Sequence, residues 1–356
     1  MSNELGRLIA RRIAVGGPIT LAEFMAEALG HPRLGYYRRA MPVGAAGDFT
    51  TAPEISQMFG ELIGAWLAER WLVMGSPPRV RLVELGPGRG TLMADALRAT
   101  RGVPGFHAAI DLHLIDISEP LRAVQAATLD VYKPTWHVRL DEVPAGPTFL
   151  VANEFFDALP VRQFEKTQRG WVERMVGLAP DGETLAIALA PGITPFASFL
   201  PEAEPGAQAE ICEAGRALVA EIGARLKRDT GWALIVDYGY VIGHGASLQA
   251  VRGHRGAGLL DRPGETDLSA HVDFAALADA AGTPTFGPVA QGDFLQRLGI
   301  ASRAEILKRR ATPEQRHAID AALSRLIAPD QMGTLFRVLA VGDDRSAVPA
   351  GFTDKA

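Results

Sequence analysis

A strand, a glycine-rich turn and a helix follow directly on one another between residues 79 and 98, and this segment constrains the fold most. Residues 79–85 alternate as a strand does, and residues 91–98 have the pattern of a helix. Between them lies the turn from Glu84 to Gly90, Glu-Leu-Gly-Pro-Gly-Arg-Gly. Glycines let the backbone of such a turn approach a ligand while the N–H groups of the helix face it. We therefore predict a ligand site at this turn.

The rest of the chain continues this alternation. Strands are predicted at 112–117, 136–140, 148–152 and 232–236, and helices at 119–127, 207–228 and 271–281. Strands that alternate with helices form a parallel sheet, which binds ligands at the carboxyl ends of its strands. Short strands between 161 and 189, with Asp181-Gly182 as a turn, interrupt the pattern and predict an inserted antiparallel hairpin or cap. We therefore expect an α/β fold with an insertion.

Composition excludes several classes of protein. The chain has 36 Lys and Arg against 41 Asp and Glu, a net charge of −5, so no overall positive field favours nucleic acid. Cys212 is the only cysteine, which excludes an internal disulfide and favours a reducing compartment, the cytoplasm. No apolar run approaches the ~20 residues that span a bilayer, so no membrane insertion is expected. The spacing of the histidines matches no metal-ligand pattern, and we predict no metal.

The spacing of the glycines discriminates between cofactors. A dinucleotide site needs its third glycine five positions after the first, but position 91 is Thr91, which disfavours a dehydrogenase. An acidic residue two positions before the first glycine suits a cofactor with an amino acid group, S-adenosylmethionine, whose ammonium it would bind directly or through water. A purely structural tight turn is the alternative. The predicted cofactor-binding residues of the turn are Glu84, Gly86, Pro87, Gly88 and Gly90.

Acidic residues follow the next two predicted strands. Asp116 stands at the end of the second strand, where a carboxylate commonly accepts hydrogen bonds from both hydroxyls of a ribose. A helix cap or a solvated charge is the alternative for Asp116. Asp141 follows the third strand and is a candidate for the adenine amino group.

The fourth predicted strand ends in an amide and carboxylates. Asn153 is expected beside the cofactor, and Glu154 and Asp157 are the leading catalytic candidates, because paired carboxylates can hold a guanidinium and orient its nitrogen. A capped turn with aromatic packing is the alternative. Asp237 closes the fifth strand, where a turn role is as reasonable as a role towards the substrate.

Two histidines are candidates for a general base. His254 lies in an Arg-Gly-His-Arg stretch, and His271 begins a predicted helix. A structural role is the usual alternative for a lone histidine, and His254 is preferred to His271 as the base.

Several of these motifs, in this order, resemble the MidA family over nearly the whole chain. The resemblance is carried by residues 47–54 (Gly-Asp-Phe-Thr-Thr-Ala-Pro-Glu), 59–61, 84–90, 153–160, 237–239, 263–267 and 271–274. Two positions depart from the family pattern: Ser269 stands where Thr is expected, and Asp116 where Glu is commoner.

The resemblance implies a class I, Rossmann-like methyltransferase fold, with a seven-stranded, mostly parallel sheet and helices on both faces. It implies S-adenosylmethionine as cofactor and a segment over the cofactor that acts as a lid, in which Asp48, Thr51 and Glu54 would meet the substrate. The family's mitochondrial members include an arginine methyltransferase that assists assembly of respiratory complex I, which implies a protein substrate, a subunit of an NADH dehydrogenase.

Five parts of the chain are predicted from these patterns. They are an N-terminal helical and lid segment (1–75), the first part of the methyltransferase core (76–160), an inserted hairpin or cap with a helix (161–230), the second part of the core (231–345) and a disordered tail (346–356). The alternatives to a protein-arginine methyltransferase are a small-molecule methyltransferase and a non-catalytic assembly factor with the same fold. The sequence leaves the oligomeric state open, and a homo-oligomer is compatible with it.

Overall fold

The computed structural model describes residues 3–39, 51–242, 245–345 and 347–353. In chain order, its helices are α1 (Glu4–Gly16), α2 (Leu21–Gly30), α3 (Tyr36–Arg39), α4 (Ala52–Ile55), α5 (Gln57–Val73), α6 (Thr91–Ala99), α7 (Phe106–Ala109), α8 (Glu119–Thr128), α9 (Glu213–Asp229), α10 (Phe274–Ala280), α11 (Gln291–Arg297), α12 (Ile300–Lys308), α13 (Pro313–Ile327) and α14 (Met332–Leu335).

The strands, in chain order, are β1 (Ile19–Thr20), β2 (Val80–Leu85), β3 (Ile110–Ile115), β4 (Thr135–His137), β5 (Thr148–Asn153), β6 (Arg162–Thr167), β7 (Gly170–Leu178), β8 (Leu185–Ile193), β9 (Gln208–Ile211), β10 (Gly231–Tyr240), β11 (Gln249–Arg252), β12 (Arg255–Gly256), β13 (Asp267–Ser269), β14 (Val272–Asp273), β15 (Thr285–Ala290) and β16 (Phe336–Gly342). Among the described residues, no helix is long and apolar enough to cross a membrane.

The chain divides into two compact units, each made of three segments. The hairpin unit consists of Met1–Pro42, Asp157–Ala217 and Ile242–His271. The central-sheet unit consists of Val43–Phe156, Leu218–Val241 and Val272–Ala356.

The central-sheet unit is built on a mixed sheet in the order β15-β16-β10-β5-β2-β3-β4. The strands from β10 to β4 are parallel, and β16 runs antiparallel to β10. The two-residue strand β14 also pairs with β10, so within the described residues the sheet contains the seven strands of this order and β14 as a short additional strand. The predicted α/β fold, with a mostly parallel sheet and helices on both faces, is confirmed.

The register of the parallel strands brings their carboxyl ends to one edge. Leu85 at the end of β2 is level with Ile115 of β3 and with Ala152 of β5. Val236 of β10 is level with Asn153, the last residue of β5. The polar residues that follow these strands therefore share that edge of the sheet.

The hairpin unit contains the antiparallel strands predicted as an insertion. β7 pairs with β1, β6 and β8, and β9 extends the sheet beyond β6. Residues 207–228 were predicted as one helix, but residues 208–211 form β9 and α9 begins only at Glu213. The reason is tertiary: β9 completes the backbone hydrogen bonds of β6, with Phe164 and Ala209 opposite each other in a small buried cluster.

The predicted helix at 271–281 also begins later than expected. His271 precedes β14, and α10 starts at Phe274 after the cap residue Asp273, whose carboxylate accepts the N–H of Ala276 at 3.0 Å. Backbone pairing with β10 holds residues 272–273 extended, so His271 does not begin a helix.

Part of the predicted disordered tail, 346–356, is packed. The carbonyl of Ala350 accepts the indole N–H of Trp66 at 3.0 Å, and the ring of Phe352 lies 5.3 Å from that of Phe294. The buried ring of Phe352 anchors these residues to the core, and a tail too short for a periodic pattern gives no signal of such packing.

Helices α5 and α6 approach closely at Gly64, and α6 begins directly after the glycine turn. A Cβ atom at Gly64 would lie 2.4 Å from the carbonyl oxygen of Ala96 in α6. Contact this close requires a residue without a side chain, because backbone atoms cannot move aside as a flexible side chain can.

We predict that Gly64→Ala lowers the free energy of unfolding by about 1–3 kcal/mol, the usual cost of overpacking. Gly16→Ala at the end of α1, where a Cβ atom has nothing within 4 Å, is the matched control and should change stability by no more than about 0.5 kcal/mol. Urea unfolding followed by circular dichroism measures both. Equal stabilities of the two variants would contradict the close approach of α5 and α6.

Candidate active site

The glycine turn joins β2 to α6 through three glycines with positive φ. Gly86, Gly88 and Gly90 have φ of 59°, 53° and 81°, a region that other residues adopt only under strain. A Cβ atom at Gly86 would also lie 2.7 Å from the ring of Phe155. The sequence therefore turns here as predicted, because glycine satisfies both the dihedral angles and the close packing.

Glu84 is buried next to this turn. Its side chain is 3% exposed, and its Oε2 atom has no hydrogen-bond partner among the described residues. Burial, and secondly the negative charge of Asp116, raise the pKa of Glu84 to about 8. A buried carboxyl with an oxygen that no described residue contacts suits a ligand that brings a positive charge.

Asp116 directly follows β3, as predicted. Its Oδ1 accepts the N–H of Ser118 at 2.7 Å, and its Oδ2 accepts the side-chain amide of Gln125 at 2.7 Å. Ser118 is the cap residue of α8, but its hydroxyl makes no capping bond. The carboxylate is therefore oriented by two donors, on the side of the sheet edge where the glycine turn lies.

The end of β5 carries the amide and the first carboxylate. Oε1 of Glu154 accepts the N–H of Ala52 at 2.8 Å and the side-chain amide of Asn153 at 3.1 Å. Oδ1 of Asn153 is buried and has no hydrogen-bond partner among the described residues. Glu154 has a φ of 51°, so the backbone leaves the strand in a left-handed conformation at this residue.

The segment before α5 is held against these same elements. Thr51 is the cap residue of α4, and Oε1 of Glu54 accepts the hydroxyl of Thr91, the first residue of α6, at 2.5 Å. Together with the bond from Ala52 to Glu154, this contact brings Thr51 and Glu54 to the edge of the sheet. Asp48, predicted in the same segment, lies outside the described residues.

Asp237 of β10 fixes the turn that follows β5. Its side chain is fully buried, and Oδ2 accepts the N–H groups of Phe155 and Phe156 at 3.1 and 2.9 Å. Oδ1 accepts the N–H of Tyr238 at 2.9 Å. These contacts match the turn role that the sequence left open for Asp237.

The remaining predicted residues make none of the contacts described above. Asp141 is exposed and forms an ion pair with Arg139 at 2.7 Å, which lowers the pKa of Asp141. His254 lies on the exposed turn between β11 and β12. Asp157 and His271 also belong to the hairpin unit; the carbonyl of Asp157 accepts the N–H of Ala270, and the N–H of His271 donates to Ser247. Within the described parts of the chain, no group of three or more His, Cys, Asp or Glu could hold a metal ion.

Gln125 and Thr91 are two site residues that the sequence did not reveal. Gln125 is fully buried between Leu121 and Leu129, which are themselves buried at intervals of four residues. A polar side chain on an otherwise apolar helical stripe is a recognisable signal, because burial is costly unless a specific partner is present. In the sequence, Thr91 is informative only because it is not the third glycine of a dinucleotide site. In the structure, its hydroxyl donates a hydrogen bond to Glu54.

Comparison with known proteins identifies relatives over almost the whole chain. Residues 62–289 match a family described as "Putative S-adenosyl-L-methionine-dependent methyltransferase". Protein arginine methyltransferase NDUFAF7, mitochondrial, is similar in Danio rerio (36% identity, 94% of this chain, 85% of the relative) and in Mus musculus (37%, 94% and 83%). A crystal structure of a Burkholderia thailandensis protein bound to S-adenosyl-homocysteine superposes with a TM-score of 0.86, at 28% identity over 98% of this chain and 95% of that one.

We predict that Glu84→Gln stabilises the ligand-free protein at mildly alkaline pH. Glu84 ionises near its ordinary pKa of 4.5 in the unfolded chain but at about 8 in the folded one. Between these values the folded state binds more protons, so the stability of the wild type falls as pH rises, and glutamine removes this dependence. Thermal unfolding at pH 5 and pH 8 measures it. Glu183→Gln, at an exposed position, is the control; an equal effect of both variants at both pH values would contradict a protonated Glu84.

Proposed function

Because the chain belongs to a family of S-adenosyl-L-methionine-dependent methyltransferases, we propose that it methylates an arginine side chain of a partner protein. The observation that carries the proposal is the shared edge of β2 and β5. There the buried Glu84, whose Oε2 has no hydrogen-bond partner among the described residues, shares the edge with the amide of Asn153 and the carboxylate of Glu154. The relatives named protein arginine methyltransferase support the choice of acceptor.

The residues at this edge fit the cofactor. S-adenosylmethionine supplies an electrophilic methyl group on a sulfonium. Oε2 of Glu84 would receive the ammonium of its amino acid part, directly or through water, since this oxygen is buried and has no partner in the part of the chain that the structure describes. Asp116 would receive the ribose hydroxyls, and Oδ1 of Asn153 supplies a further acceptor on the adjacent strand end. The turn from Gly86 to Gly90 lets the backbone approach the ligand.

Glu154 would hold the acceptor, and the predicted role of Asp157 stays a prediction. An arginine guanidinium keeps its proton at neutral pH, with a pKa above ~12, so attack on the methyl group needs carboxylates that orient the nitrogen and accept its proton. Glu154 is suited to this, since one of its oxygens is already fixed by the N–H of Ala52. Asp237 and the segment from Thr51 to Glu54 would position Glu154 and the turn after it. A role of His254 as base and a role of Asp141 at the adenine stay predictions.

The charge of the chain and its sequence resemblance both bear on the acceptor. The net charge of −5 disfavours a nucleic acid acceptor. A subunit of a respiratory NADH dehydrogenase, which the sequence resemblance implies, is the first candidate acceptor. We propose the cytoplasm as the location, whereas the curated relatives are named as mitochondrial.

We predict that binding of S-adenosylhomocysteine near neutral pH releases up to about one proton. Glu84 holds a proton in the free protein, and an ammonium beside its carboxylate would favour the ionised form. Calorimetric titration in two buffers of different ionisation enthalpy measures the proton count. Glu84→Gln should abolish the release and weaken binding, and Gly88→Trp should abolish binding. Proton release that persists in Glu84→Gln would contradict the assignment of Glu84 to the ammonium.

We predict that Glu154→Gln lowers kcat for arginine methylation by roughly a hundredfold or more, because an amide cannot accept the guanidinium proton. The glutamine oxygen can still accept the N–H of Ala52, so affinity for S-adenosylhomocysteine should stay within about twofold. The assay uses labelled S-adenosylmethionine with NADH dehydrogenase purified from a strain that lacks this chain, and identifies the labelled residue by mass spectrometry.

The control for Glu154→Gln is Glu183→Gln, at an exposed turn position of the hairpin unit. Label on lysine or on a small metabolite, with none on arginine, would refute the arginine proposal while leaving the cofactor site intact. Full activity of Glu154→Gln would refute the role of Glu154 alone.

A further inference from the structure

Gln125 of α8 connects three elements at the carboxyl edge of the sheet. Its Nε2 donates to the carbonyl of Gly88 at 2.8 Å and to Oδ2 of Asp116 at 2.7 Å. Its Oε1 accepts the indole N–H of Trp136 in β4 at 2.8 Å. The side chain is fully buried, so these contacts are shielded from water and retain their strength.

The two contacts that Gln125 donates orient two groups that must point in different directions, one away from the ligand and one towards it. The Gly88 carbonyl must point away from the ligand if the N–H groups of the turn are to face it, and Gln125 is a donor on the protein side. The Asp116 carboxylate must face the ligand, and its orientation is set by two donors, the N–H of Ser118 on Oδ1 and Gln125 on Oδ2. One amide therefore orients both groups at once.

The position of Gln125 is itself fixed. The bond from Trp136 determines which end of the amide is the oxygen, because an indole N–H can only donate. A Cβ atom at Gly90 would lie 3.7 Å from the Cα of Gln125, so α8 packs directly against the glycine turn. The amide cannot reverse without losing the contact with Trp136 and placing an acceptor against Gly88 and Asp116.

We propose that Gln125 is a positioning residue for the adenosine half of the cofactor. It holds the Asp116 carboxylate in the orientation that receives the ribose hydroxyls and keeps the Gly88 carbonyl turned away from the ligand, so it determines how strongly the site prefers a ligand that carries those hydroxyls. This inference rests on the proposed cofactor site, and in particular on Asp116 as the ribose acceptor.

The test compares two ligands by calorimetric titration: S-adenosylhomocysteine and its analogue whose ribose lacks both hydroxyls. Gln125→Met keeps the size and burial of the side chain and removes all three hydrogen bonds. We expect it to reduce the preference for S-adenosylhomocysteine over the analogue about tenfold, with less than about threefold change in affinity for the analogue. Leu121→Met, one turn earlier on the same buried stripe, disturbs packing only and should keep the wild-type preference.

Equal losses of affinity for both ligands in Gln125→Met would overturn the proposal, since a purely structural role affects the two alike. If Gln125→Met does not fold, Trp136→Phe removes only the donor to Oε1 and should reduce the preference about threefold; an unchanged preference in that variant also overturns the proposal. Failure of the wild type to bind S-adenosylhomocysteine would refute the cofactor site itself. If the wild type binds S-adenosylhomocysteine, Gly88→Trp abolishes this binding and Gln125→Met loses equal affinity for both ligands, only the role of Gln125 is refuted.

Discussion

The buried carboxylate of Asp237 is the contact on which the candidate site depends. It accepts the N–H groups of Phe155 and Phe156 and thereby fixes the turn after β5 from the neighbouring strand β10. The ring of Phe155 then packs against Gly86, which has no side chain to obstruct it. The ends of β10, β5 and β2 are thus linked by the hydrogen bonds of Asp237 and by the packing of Phe155 against Gly86. The geometry of Glu154 and of the glycine turn follows from this linkage.

The features that the sequence predicts best are those that local backbone chemistry determines. Gly86, Gly88 and Gly90 are needed for positive φ, so a strand before them and a helix after them predict a ligand turn. Asp116, Asn153 and Asp237 could be assigned to one edge because parallel strands end together. These predictions require only the order of strands and helices, and family membership confirms the cofactor class to which they point.

Tertiary contacts decide the features that the sequence could not predict. Residues 208–211 have the composition of a helix start but pair with β6, and His271 precedes a helix because residues 272–273 pair with β10. Position 91, which would be glycine in a dinucleotide site, is Thr91, and its hydroxyl donates to Glu54, 37 residues away in the sequence. Contacts between residues far apart in the sequence leave no periodic pattern in it, because they depend on which elements are close together in the folded chain.

The site retains buried polar groups that a stable core would exclude. Oε2 of Glu84 and Oδ1 of Asn153 are buried without partners among the described residues, and burial keeps Glu84 protonated near neutral pH. Each such group destabilises the ligand-free fold, since desolvation is not offset by a hydrogen bond. In contrast, Gln125 and Asp237 are buried polar residues whose contacts support their neighbours. These four residues are therefore of two kinds: the side chains of Gln125 and Asp237 are bonded within the protein, whereas Glu84 and Asn153 each keep one buried oxygen without a partner among the described residues.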